Sequence, residues 1–63
     1  MIIIEASKNN VNPRLITFAL QKHMPRSIEI IEKASRGRIE LHGDSLVWAS
    51  NWLERNHINH TVV

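Results

Sequence analysis

His57 and His60 stand three residues apart, a spacing at which two imidazoles can share a divalent ion, and they are half of the four histidines in the chain. A zinc site needs three or four ligands. No third donor is signalled beside the pair, so the spacing is read as a chance one and no metal is expected. His23, near a helix end, is expected to meet the carbonyls left unpaired there. Nucleophilic catalysis has as little support, because the chain has no cysteine. Ser45 or Ser50 with His42 and Asp44 supplies the residue types of a triad by inventory, without a spacing that fixes its geometry. Gly37 and Gly43 are the only glycines, too few for a glycine-rich phosphate loop. Neither a cofactor nor an enzymatic activity is expected.

The remaining chemistry lies in cations and aromatics that a core would not require. Lys33, Arg36 and Arg38 surround Gly37, and guanidinium groups gathered there can meet phosphates in bidentate geometry. The competing reading is a solvated turn whose charge is offset by Glu32 and Glu40. Phe18 falls roughly 150° from the centre of its helix's apolar stripe, on a face with Arg14, Gln21 and Lys22. A ring between two cations can stack on a base or anchor a protein contact ringed by charge; alternatively it folds back on a strand end. Trp48 lies at the margin of the second helix's stripe, one turn from Trp52, with Val47 on the polar side. Trp52 is assigned to the core and Trp48 to an interface.

These residues sit on six elements. Met1 to Ile4 is apolar on both faces, as suits an interior strand. Ser7 to Val11 is polar and turn-forming. Asn12 and Pro13 make a helix start, since proline at the first helical position lacks only an N–H that has no partner there. That helix is expected from Pro13 to about His23, with Leu15, Ile16, Ala19, Leu20 and Met24 inward at about 100° per residue and Pro25 ending it. Ser27 to Lys33 and Arg38 to His42 alternate, with Ile28, Ile30, Ile39 and Leu41 on one face. The short connection Ala34 to Gly37 makes them an antiparallel hairpin. Gly43 and Asp44 stop the strand and cap a second helix, expected from Ser45 to about Asn56, with Leu46, Ala49, Trp52 and Leu53 inward. His60 to Val63 is the last strand, the alternative being that these four residues fray or pair with a partner chain.

The order βαββαβ resembles the ferredoxin-like split-βαβ arrangement, an α+β two-layer sandwich in which right-handed crossovers place both helices on one face of a four-stranded antiparallel sheet. The resemblance is one of architecture and carries no activity with it. The uncovered face is then expected to display Ile3, Glu29, Ile31, Lys33, Arg38, Glu40 and His42. RNA recognition on such a sheet uses aromatic stacking platforms, and no strand carries one. Outward Ile3 and Ile31 suit a protein partner or a second copy better than bases, and the second and fourth strands offer edges for pairing.

With 63 residues the chain is expected to form one domain over positions 1–63, burying only about 60% of its unfolded surface. Without disulfides, self-association as a homodimer is an expected supplement. The first apolar run is too short to span a membrane, and a cytoplasmic location is expected from the cysteine-free composition without a signal peptide. Net charge is +2. Residues 1–38 hold seven of the eight basic groups against Glu5, Glu29 and Glu32, while Arg55 alone opposes Glu40, Asp44 and Glu54 in the rest, so the first half is suited to an acidic partner. Together these readings point to a non-catalytic protein-interaction module, a small regulator or inhibitor that occupies a partner's surface through Arg14, Phe18, Lys22, Ile31 and Trp48. The alternative is a nucleic-acid-binding regulator that uses the hairpin tip and the Arg14/Lys22 face as phosphate contacts.

Overall fold

Local signals set most of the element boundaries in the computed structural model, which describes residues 1–63, the side chain of Ala34 excepted. The strands are β1 (Ile2–Glu5), β2 (Ile28–Lys33), β3 (Arg38–Gly43) and β4 (Thr61–Val62), and the helices are α1 (Pro13–His23) and α2 (Leu46–Arg55). Asn12 Oδ1 accepts from the Arg14 amide at 2.9 Å, a side-chain cap on one of the donors that a helix start leaves free. At the other end Met24 turns to extended backbone ahead of Pro25, as the clash between a proline ring and the preceding residue requires.

The sheet is antiparallel throughout, in the order β2-β3-β1-β4, and the two helices form a second layer. This is the ferredoxin-like α+β arrangement. β1 and β3 are the interior strands, and their register sets Ile2 opposite Leu41 and Ile4 opposite Ile39. Those four side chains face the helices and meet Ile16 and Leu20 of α1, Ala49 and Leu53 of α2, and Ile28 of β2 in one core cluster. Each fully buried Ile or Leu contributes about 1.5–3 kcal/mol relative to an exposed one.

Two distant loops are joined by a reciprocal amide clasp. Asn9 Nδ2 donates to the carbonyls of Glu5 and Asn59, Asn59 N donates to Asn9 Oδ1, and Asn59 Nδ2 donates to the Lys8 carbonyl, at 2.6 to 3.1 Å. The clasp fixes the approach to β4, whose ladder with β1 has only two rungs.

Four expectations need correction. The last strand is Thr61–Val62 rather than His60 to Val63, because the His60 side chain turns back to bond Ser50 and Ile58. Gly43 and Asp44 do not cap α2; Ser45 precedes it in the left-handed region at φ 62°, and its side chain makes no capping bond. Trp52 is only partly buried, packed against the core's margin. Leu15, placed inward by its wheel angle, is 63% exposed, because it borders an open groove between α1 and the end of α2 instead of the sheet.

Gly43 holds the corner where β3 leaves the sheet. Its φ is 130°, and a Cβ built on it would lie 2.1 Å from the Ser27 carbonyl oxygen, which belongs to the backbone and cannot swing away. Gly37, at φ 60°, would meet only the Ala6 Cβ at 3.7 Å. Gly43→Ala should therefore lower the unfolding free energy by more than about 2 kcal/mol, and Gly37→Ala by about 1 kcal/mol. Urea denaturation of the two variants checks the order; equal losses would contradict it.

Candidate interaction surface

The uncovered sheet face is organised by register. Its central row runs Ile31, Glu40, Ile3, Thr61 across the four strands; a second row runs Lys33, Arg38, Glu5, and a third pairs Glu29 with His42. Glu40, between two isoleucines and two same-strand neighbours with long side chains, is only 7% exposed. A carboxylate so enclosed needs partners. Lys33 Nζ lies 3.2 Å from its Oε2, Arg38 Nη1 3.9 Å from the same oxygen, and His42 Nε2 donates to Oε1 at 3.0 Å. Arg38 also approaches Glu5 at 3.9 Å, and Glu5 meets Lys8 at 3.5 Å.

This network changes the standing of the hairpin tip. Lys33 and Arg38 are drawn down onto the sheet by Glu40, and Arg36, in the turn between the strands, makes no ion pair among the described residues. The three cations are therefore not one projecting cluster.

The helix layer presents the larger apolar surface. Leu15 is 63% exposed, Phe18 68%, Val47 75% and Trp48 46%. A groove of about 330 Å³ runs between α1 and α2, lined chiefly by Val11, Leu15, Ala19, His23, Trp52 and Ile58. His23 stands at its end, its ring centroid 5.5 Å from that of Trp52 and tilted by 32°, so it packs on an aromatic face at the C-terminus of α1. Beyond His23 a second hollow holds Met24, Pro25 and Trp48. The two hollows share His23, which makes one apolar track from Val11 to Trp48. Arg14 and Phe18 lie on the other flank of α1, around a hollow with Thr17, Gln21 and Glu32. Thr17 Oγ1 is buried there without a hydrogen-bond partner.

Of the residues expected to bind a partner, Arg14, Phe18 and Lys22 share the exposed side of α1, and Trp48 projects from α2. Ile31 stands apart, half-buried on the opposite face of the sheet. The groove had no signal in the sequence: Val11 falls in the stretch read as a polar turn and Leu15 on the helix stripe read as core, and only the placement of α1 against the end of α2 brings them together. The histidines separate as well. His60 Nδ1 donates to the Ile58 carbonyl at 3.0 Å, so its Nε2 accepts from Ser50 Oγ at 2.8 Å; both ring nitrogens are engaged. Ser50 thus meets His60, while His42 faces Glu40 across the sheet. Among the described residues no group of three or more His, Asp and Glu is placed to hold a metal ion, and no helix is long and apolar enough to cross a membrane.

No protein-family model, curated protein or solved structure matches the chain.

The hydrogen bond from His42 is the largest influence holding the Glu40 carboxyl below the ordinary glutamate range; the bond from Lys33 acts in the same sense, and desolvation opposes both. A carboxylate with a depressed folded value contributes stability that is present above its unfolded value and is lost as pH falls through the folded one. Melting temperature should therefore fall less steeply for Glu40→Gln than for the wild type between about pH 5 and about pH 2. Parallel curves would remove Glu40 from the acid limb.

Proposed function

We propose that the chain is a non-catalytic protein-interaction module that acts as a regulator or inhibitor by occupying a partner's surface, and that it works as a homodimer. The observation that carries this reading is the apolar track on the outside of the helix layer. A chain of this size has little apolar side chain to spare, yet leaves Leu15 mostly in water and Trp48 nearly half exposed along the track, with Phe18 mostly exposed on the other flank of α1, while smaller residues such as Ala49 are fully buried. Large apolar residues arranged in a groove mark binding sites rather than random exposure.

Charge selects the partner. α1 carries Arg14 and Lys22 and no acidic residue, while α2 ends in the offsetting pair Glu54 and Arg55, so the excess positive charge of the helix layer lies on α1. Groups of one sign around an apolar anchor accelerate encounter with an opposite surface and add less to the lifetime of the complex. The partner suited to this face is therefore acidic, with an apolar segment that seats between α1 and α2.

Affinity capture from the source cells, with the wild type beside a Leu15→Asp/Trp48→Ala variant, tests the reading. A partner held by the wild type should bind the variant at least about tenfold more weakly, as expected for loss of interface anchors, while far-ultraviolet dichroism stays unchanged. Equal capture by both proteins overturns it. So does tight binding of single-stranded or duplex nucleic acid that weakens on Arg36→Ala and steeply with salt.

A further inference from the structure

The two edges of the sheet are unlike. β4 offers two residues, whereas β2 offers six, from Ile28 to Lys33, paired on one side with β3 and open on the other. Along such an edge every second residue directs its N–H and C=O outward, where another strand can meet them. Natural edges are commonly blunted by charge, and β2 carries Glu29, Glu32 and Lys33. What matters is how those charges are placed against a copy of themselves.

We propose that two copies of the chain pair edge to edge through β2, antiparallel about a twofold axis at Ile31. This rests on the two-copy part of the reading above. Faces are preserved only if odd positions meet odd and even meet even, since a one-residue slip would exchange the core face for the open one. With Ile31 opposite Ile31, Glu29 of each copy faces Lys33 of the other, twice over, on the uncovered face. Centred on Ile30, the strand sets Glu29 against Ile31; centred on Glu29 or Glu32, it opposes like carboxylates. Within the strand, the Ile31 register alone joins opposite charges.

Lys33 can serve both partners, because its ammonium has three donors and uses one on Glu40 of its own chain. Glu29 is exposed and makes no ion pair among the described residues. On the helix side Phe18 and Arg14 border this edge, around the hollow they share with Glu32. The axis carries each Phe18, 68% exposed in the single chain, toward the seam. The product is one continuous sheet of eight strands whose remaining edges are the two short β4 strands, and it leaves the groove between α1 and α2 open for another protein.

Sedimentation equilibrium together with single-cysteine cross-linking tests the pairing in a chain that has no cysteine of its own. The wild type should sediment as twice 7.3 kDa. Ile31→Cys should form a disulfide-linked dimer on mild oxidation, since directly opposed Cβ atoms on paired strands lie about 4.5–5.5 Å apart, and Thr61→Cys on the other edge should not. Glu29→Lys, which sets lysines opposite each other, should weaken association roughly tenfold without altering the monomer's melting. A monomeric wild type, equal cross-linking at both edges, or unchanged association of Glu29→Lys each overturns the pairing. A monomer that still loses its partner with Leu15→Asp/Trp48→Ala defeats the pairing alone; dimers linked at position 31 alongside equal partner capture by that variant defeat the helix-face reading alone.

Discussion

The cross-strand contacts of Ile2 with Leu41 and Ile4 with Ile39 join the two interior strands into a surface on which both helices rest. They fix which side of the sheet is dry. Ile16 and Leu20 pack down from α1, Ala49 and Leu53 from α2, and with one layer of helices the opposite side keeps only Ile3 and Ile31 as large apolar residues and no second layer to cover them. That side must be closed by polar means, which is why Glu40 can be nearly buried there: the isoleucines flanking it exclude water, and the neighbouring Lys33, Arg38 and His42 supply its hydrogen bonds and charge. The same constraint leaves the outer surface of the helices with apolar residues that no third layer covers.

The molecule thus has two differently built surfaces. On the sheet, the charges gathered around Glu40 and Glu5 are internally matched, so little of their field reaches beyond that network, and Glu29 stands outside it. On α1, Arg14 and Lys22 stand beside apolar side chains with no carboxylate in the helix itself, although Glu32 of β2 lines the hollow that holds Arg14. Each cation that Glu40 engages is one less for the hairpin turn. The helix layer therefore carries the part of the surface able to act at a distance.

Much of this was legible in the chain, and the exceptions have physical reasons. Asn12, Pro13 and Pro25 delimited α1 because their constraints are local and steric. Alternation in Ser27 to Lys33 and Arg38 to His42 marked the hairpin and which of its residues face the open side, and the register itself emerged only with the fold. Phe18 and Trp48 stood out as residues that the core did not need. Leu15 was misplaced because a wheel angle specifies direction and not how closely the neighbouring element approaches there. Ser45, in the left-handed region, could not be anticipated from residue type, since serine is not a residue that favours positive φ. The near-burial of Glu40 and the clasp of Asn9 with Asn59 depend on partners brought in from other elements, the latter from 50 residues away, and polar residues in a loop give no sign of whom they will meet.

β4 has a role out of proportion to its two rungs. It covers the outer edge of β1, the most hydrophobic strand in the chain, whose sequence Ile-Ile-Ile-Glu has the β-branched, proline-free composition that promotes cross-chain stacking. Its rungs are backbone bonds between residues about 60 positions apart, and the β4 side of each is exposed, the kind of contact that opens before the core does. Solubility thereby becomes a property of the least stable element: a shortened or loosened β4 would turn an interior strand into an adhesive one while the core remained folded.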